Sequence, residues 1–507
     1  MSYLIGVDIG TSGTKAVAFN LEGKAVADAL IEYPLYQPKN GWAEQDPEDW
    51  WKATVDAIAI LTGKIGAKPE EILGVGLSGQ MHGLVMLDGN DHVLRKSIIW
   101  CDQRTASEAE SITDLVGREK LVEITANPAL TGFTAAKIMW VKKNEPEIFD
   151  RCRKIMLPKD YIRYRMTGEF ATEVSDASGM QLMDVPNRKW SDFVCDRLGI
   201  DMTCLGRVYE SCEVTGTVLP EVAEKTGMSV RTVVVGGAGD QAASAIGNGI
   251  VREGVVSATI GTSGVVFAHT DRPRIDPLGR VHTLCHAVPG VWHIMGVTQA
   301  AGLSFQWIRD NLFDDVKKVA SLMGKNPNKV MDEICSRSPA GANSLIYLPY
   351  LMGERTPHLD PNARGVFFGL SAMHNRSDIV RAVMEGVTFS LLDCMNIIRE
   401  LGTSPDFVYA SGGGGNSMLW RQMMADAFGI RVAQNSSREG GALGVAILAG
   451  VGAGVYESVS EAAESMVKET SSISPDENNS AKYKKAYALY VKLYSALKDS
   501  FRELSEI

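Results

Sequence analysis

Apolar positions crowd the run "YLIGVDI", give way at "GTSG", and return in "TKAVAFN". Alternation on both sides of a short glycine turn reads as two strands and a hairpin, extended through "LEG" into a third strand, "KAVADALIEY". The same pattern recurs half a chain later in "VSATIGTSGVVFAH". Ile-Gly-Thr-Ser-Gly thus occupies 9–13 and again 260–264. "ILGVGLSGQMHGLVML" reads as strand, glycine turn, strand. "TVVVGGAGDQAASAIGNG" and "FVYASGGGGNSMLWRQMMADAFG" each read as a buried strand running through glycines into a helix, as does the shorter "REGGALGVAILAG".

A helix over about 47–62 is expected from its apolar face, with Asp46 as N-cap and Pro47 at the first position. A closing helix over 482–504 is expected from Tyr483, Tyr487, Tyr490, Leu493, Leu497 and Phe501 at helical spacing. Simple packing explains that stripe. The repeated turn divides the chain into two α/β domains, 1–248 and 249–507, with the boundary falling within 247–254 just before the second copy.

Length agrees, since 507 residues exceed one ordinary core. Hydrophobic content of 45% with 22% charged residues is that of a globular chain. A net charge of −10 argues against a nucleic-acid partner, because phosphate neutralisation needs a basic face. No signal peptide or long apolar span is visible. The eight cysteines are scattered without a C-x-x-C pair, as expected of reduced thiols in a cytoplasmic protein.

A glycine turn between strands exposes backbone N–H groups, and its hydroxyls add donors, so it can cradle phosphate oxygens. One such turn would read as a tight hairpin. Two at half-chain spacing place equivalent turns across a cleft, each gripping one side of a polyphosphate. The common nucleotide loops are excluded. Position 8 is Asp where G-x-G-x-x-G needs glycine, a strand follows where that fold needs a helix, and no G-x-x-x-x-G-K-[ST] occurs.

Asp8, at a strand end beside the first turn, is placed to hold Mg²⁺ directly or through water. Its counterpart in the second copy is Thr259, and one cleft needs one such carboxylate. Asp240 reads equally as a helix N-cap and as the base that takes a proton from an attacking hydroxyl, since phosphoryl transfer asks for little more than positioning and charge neutralisation. The glycines 412–415 suggest a surface for a flat adenine at a helix N-terminus. His82 alone reads as structural. His282 and His286, four apart, lack the H-E-x-x-H context of zinc ligands and also read as structural.

Together "GVDIGTSGTKAV", "WAEQDPEDWW", "SGQMHG", "IIWCDQR", "LPKDYIRYRMTGE", "GAGDQAA", "IGTSG", "YLPYLMGERTPH" and "GGGGNSMLWRQMMAD" resemble the FGGY carbohydrate kinases, from residue 3 to about 450. The resemblance implies two duplicated ribonuclease-H-like domains of the actin and hexokinase type, with sugar held mainly by the first and ATP mainly by the second. It implies Asp240 as catalytic base and Asp8 as the carboxylate near Mg²⁺. Thr11, Ser12 and Lys15 fall in its first phosphate segment, and Gly261, Thr262 and Ser263 in the second. Gly302 and Gln306 match its nucleotide-contacting helix, and Gly413, Gly414 and Asn416 its adenosine motif.

Met81, His82, Trp100, Asp102 and Gln241 fall on its sugar side, most similar to the members that phosphorylate D-xylulose. Gln241 stands where asparagine is usual there, and "TGFTAAK" where a proline is common. Another ketose, a polyol or a sugar acid therefore stays open as acceptor. An actin-like ATPase without a sugar is the remaining alternative, although it has no need of the sugar-side segments. A homodimer is a family expectation.

Overall fold

The computed structural model describes residues 1–506. In the first half, β1 (Tyr3–Ile9), β2 (Gly13–Asn20) and β3 (Ala25–Glu32) form an antiparallel meander. On its other edge β1 pairs in parallel with β4 (Ile72–Gly79), and β4 pairs in parallel with β5 (Val233–Val235). The second half repeats that order. Here β6 (Val255–Ile260), β7 (Gly264–Thr270) and β8 (Trp292–Thr298) form the meander, while β9 (Phe407–Ser411) and β10 (Arg431–Asn435) continue in parallel from β6. Each sheet therefore runs 3-2-1-4-5, the order of a ribonuclease-H-like domain. The expected duplication is one of architecture as well as of a turn.

Both repeated turns close hairpins. Ile9 faces Thr14 with Gly10 N–H donating to the Gly13 carbonyl (3.0 Å), and Ile260 faces Gly264 with Gly261 N–H donating to the Ser263 carbonyl (3.0 Å). The helix expected over 47–62 is α1 (Pro47–Ile65). Asp46 accepts the Glu48 N–H at 3.0 Å, and Gly66 ends the helix in the left-handed conformation.

Two helices join the halves. α2 (Asp240–Gly247) follows the first sheet, yet its Ala245 packs with Val255, Phe267, Tyr409 and Ala433 of the second. α3 (Gly302–Asn311) and the buried α4 (Arg376–Glu400) cover the second sheet's other face. α5 (Met418–Phe428) follows β9, and α6 (Gly440–Gly452) follows β10. α6 crosses back and lies on β1 and β4 of the first sheet, where Leu443, Ala446 and Ile447 join Leu4, Val17 and Phe19. Equivalent helices have been exchanged between the halves.

The crossing has no room for side chains. A Cβ on Gly6, Gly76 or Gly444 would stand about 2 Å from the carbonyl oxygens of Ala442, Val445 and Ala243 respectively. The closing helix, α7 (Glu477–Leu504), packs Tyr483, Tyr490, Leu493 and Phe501 into the second core.

Candidate functional site

The strand order puts the ends of β1, β4 and β6 at one cleft, with the repeated turns at its mouth. Two cavities open there. One, of about 200 Å³, is lined by Met81, His82, Trp100, Phe133, Asp240 and Gln241 from the first half, and by Ser263, His282 and Arg355 from the second. Leu130, Val265, Leu284, Met295 and Val297 complete an apolar wall. The second cavity, of about 440 Å³, is lined by Gly261, Thr262, Gly302, Gln306, Gly413, Gly414 and Asn416, with Phe305, Lys329 and Asp332. The turn at 261–263 stands between them. Gly261 and Thr262 face the larger cavity and Ser263 the smaller.

Asp240 begins α2, and its Oδ1 accepts the Gln241 N–H at 2.8 Å. The expected N-cap role falls instead to Gly239, and Asp240 is the first residue of the helix, with its carboxylate free to face the cleft. Burial, and then the negative charge of Asp8, push its carboxyl up to about 7. Asp8 lies on β1 opposite Lys15 and beside Ser78 of β4. Burial raises its carboxyl too, against the pull of Ser78 and Lys15, and its Oδ1 is buried with no hydrogen-bond partner.

His82 takes a left-handed backbone (φ 69°), with Nδ1 3.0 Å from the Gly179 carbonyl. A carbonyl only accepts, so Nδ1 carries the proton and Nε2 is an acceptor. Trp100 is 47% exposed, with its Nε1–H donating to Thr11 Oγ1 at 3.0 Å. The wall segment bearing Phe133 is tied down by the buried Lys137 ammonium, which donates to the carbonyls of Thr131, Gly132 and Phe133. Burial pushes that lysine down to about 7.

Five expected site residues lie off both cavities. Asp102 is wholly buried, receives the Ala43 N–H at 2.6 Å and forms a bidentate pair with Arg104. It fixes the loop that carries Trp100. Lys15 reaches across the halves to Glu439, at 2.5 Å, just before α6. Thr11 touches the smaller cavity only through Trp100, and Ser12 is exposed at the tip of its turn. Asp8 lies behind Asp240, off the lining of either cavity.

The four glycines form a turn of helix, 412–415, and most are there for packing. A Cβ on Gly412 or Gly414 would stand 2.5–2.6 Å from Ile260 atoms, and one on Gly415 2.9 Å from Ala410. On Gly413 it would come no nearer than 4.0 Å to its neighbour. Gly413 is therefore the member of the four whose missing side chain leaves space for a ligand.

Sequence reasoning missed His282 and Arg355. His282 and His286 straddle the end of the strand His282–Cys285, so their spacing does not share a helix face. Arg355 sits in "YLPYLMGERTPH", a segment that carried the family resemblance without a role being assigned to its arginine. Among the described residues no group of three or more His, Cys, Asp or Glu is arranged to hold a metal, and no helix is long and apolar enough to cross a membrane.

Residues 3–247 match the N-terminal domain, and residues 256–453 the C-terminal domain, of the FGGY family of carbohydrate kinases. The chain is 40% identical to the xylulose kinase of Bacillus subtilis, with 98% of each chain covered. It is 39% identical to that of Escherichia coli, over 97% of this chain and 99% of the other. The crystal structure of ligand-bound xylulose kinase from Lactobacillus acidophilus superposes with a TM-score of 0.93 at 30% identity, covering 99% of this chain and 100% of that one. With two matched domains spanning most of its length, this chain belongs to the FGGY family of carbohydrate kinases.

Proposed function

We propose that the protein transfers the γ-phosphoryl group of ATP to O5 of D-xylulose, giving D-xylulose 5-phosphate and ADP. The observation that carries this reading is the turn at 261–263, which borders a nucleotide-sized cavity on one side and a smaller cavity holding Asp240 on the other. The near full-length likeness to xylulose kinases supports the choice of sugar.

In this reading the sugar lies against Trp100 with its terminal hydroxyl at Asp240. Gln241 N–H occupies one oxygen of Asp240, leaving the other to take the hydroxyl proton. As O5 bonds to the γ-phosphorus, the bond to the β-γ bridging oxygen breaks and its electron pair leaves with ADP. Asp240 then returns the proton to solvent. Backbone N–H groups at 261–263 and the hydroxyls of Thr262 and Ser263 neutralise charge on the moving phosphoryl group. Gly302, Gln306, Gly413, Gly414 and Asn416 would hold the adenosine end.

The orphaned buried oxygen of Asp8, beside a second carboxylate, suits Mg²⁺ held through water, as that ion prefers one or two carboxylates plus phosphate oxygens. When bound, Mg²⁺ supplies positive charge to the β- and γ-phosphates. The apolar wall keeps water away, so that the hydroxyl rather than solvent takes the phosphate.

The test is ADP release with MgATP and D-xylulose, ribulose, glycerol, gluconate or no acceptor, with the product identified by NMR. Turnover is expected to depend on D-xylulose, with phosphate on C5. Preference for another acceptor would replace the sugar, and turnover independent of any sugar would refute the reading.

A further inference from the structure

This inference rests on D-xylulose as the acceptor, a choice that sets a condition on the bound form. When O5 of a pentulose closes onto C2 it becomes the ring oxygen and cannot take a phosphoryl group. The reacting sugar is therefore the open-chain ketone. Its hydroxyls both donate and accept hydrogen bonds, but its C2 carbonyl oxygen only accepts, so the cavity must bring a donor to that oxygen.

Most polar groups around the cavity cannot serve. The Asp240 carboxylate accepts, Gln241 flanks it at the O5 end, and the Ser263 hydroxyl belongs to the phosphate turn. His82 offers Nε2 as an acceptor. His282 does the same, for a reason two bonds away. Asn127 spends both its N–H donors on the carbonyls of Thr125 (3.0 Å) and Thr283 (2.9 Å), so its Oδ1 accepts from His282 Nδ1 (2.9 Å). Trp100 Nε1–H is taken by Thr11.

Arg355 remains. Among the described residues no side chain pairs with its guanidinium. The adjacent Glu354 is occupied by Thr298 Oγ1–H (2.6 Å) and by the backbone N–H groups of Gln299 (2.9 Å) and Arg355 itself (2.8 Å). Its charge acts on His82 and His282, helping to hold both neutral, whereas Asp240 responds to Asp8. Arg355 lines the same cavity as both histidines, and its charge is felt by them.

We propose that Arg355, delivered by the second half of the chain, binds the C2 carbonyl oxygen of the open-chain ketose and selects ketoses over the corresponding polyols. Two acceptor nitrogens beside it would take the neighbouring hydroxyl protons. Arg355 is half-buried on the cavity wall with no side-chain hydrogen bond or ion pair among the described residues, so its donors are free for a ligand.

The test is kcat/KM of the full-length protein for D-xylulose and for its two C2-reduced polyols, xylitol and D-arabinitol, with Arg355→Met and Arg355→Lys. For Arg355→Met the ketose value is expected to fall about 100-fold, while the polyol values stay within about threefold, because only the carbonyl loses its sole donor. Arg355→Lys keeps the charge without the planar fork and should recover part of the ketose activity. KM for ATP and the thermal midpoint should hold in both variants. Equal loss on ketose and polyols, or no loss on the ketose, would overturn the assignment of Arg355 alone. Wild-type protein inactive on D-xylulose but active on another acceptor would instead overturn the underlying reading.

Discussion

Asp240 is held under two opposing demands. As the proposed base it must be ionised to accept a proton, yet burial and the charge of Asp8 favour its neutral form. A base with its carboxyl near 7 is well matched to neutral pH, and the acid limb of kcat/KM for the sugar should fall near pH 7. Activity rises with pH through that limb, since deprotonation makes the base. Asp8→Asn removes a repelling charge, lowers the Asp240 carboxyl and should move the limb to lower pH. A limb that stays put in a pH-rate profile of the variant would show the two carboxylates to be uncoupled. The place of both aspartates beside glycine turns was legible in the sequence, and Asp240 does line the smaller cavity. Arg355 and His282 were not legible, because their role comes from a wall that the second sheet lends to the sugar cavity. Asp102 was legible as a W-x-D residue, but not its burial against Arg104, which depends on the Ala43 segment brought from elsewhere.

At the scale of elements, glycines serve two purposes that a run such as "GGGG" does not separate. Gly444 lets α6 approach α2, and a methyl group there would stand 1.9 Å from the Ala243 carbonyl oxygen. Gly444→Ala should destabilise the fold by about 2–3 kcal/mol or more, the scale of overpacking against an unyielding backbone. Gly413→Ala should change stability by less than about 0.5 kcal/mol and raise KM for ATP, since its Cβ meets open cavity. Denaturant midpoints and ATP titrations of the two variants check the contrast, and the reverse pattern would assign the glycines wrongly. The strand-turn-strand units were readable from alternation. The exchange of α2 and α6 between halves was not, because both helices are apolar on several faces and local pattern cannot name the sheet that receives them.

Over the whole molecule, duplication explains the placement of the chemistry. Two 3-2-1-4-5 sheets bring their first hairpins to one cleft, so two versions of one turn differ in a single useful way, Asp8 against Thr259. The smaller cavity has walls from both halves. In the proposed reading a bound sugar would bridge them and couple acceptor binding to the geometry of the phosphate turns. The exchanged helices and the Lys15–Glu439 pair tie the halves together at the same place.

The most direct test of this arrangement compares sugar binding and turnover in wild type and Asp240→Asn. Binding is read by isothermal titration calorimetry with D-xylulose, and turnover from xylulose-dependent ADP release. The account predicts binding within a few-fold of wild type and turnover reduced by about 10²–10⁴, the contribution of a positioned base. Turnover within tenfold of wild type, with sugar still bound, would contradict Asp240 as the base at the meeting of the two cavities.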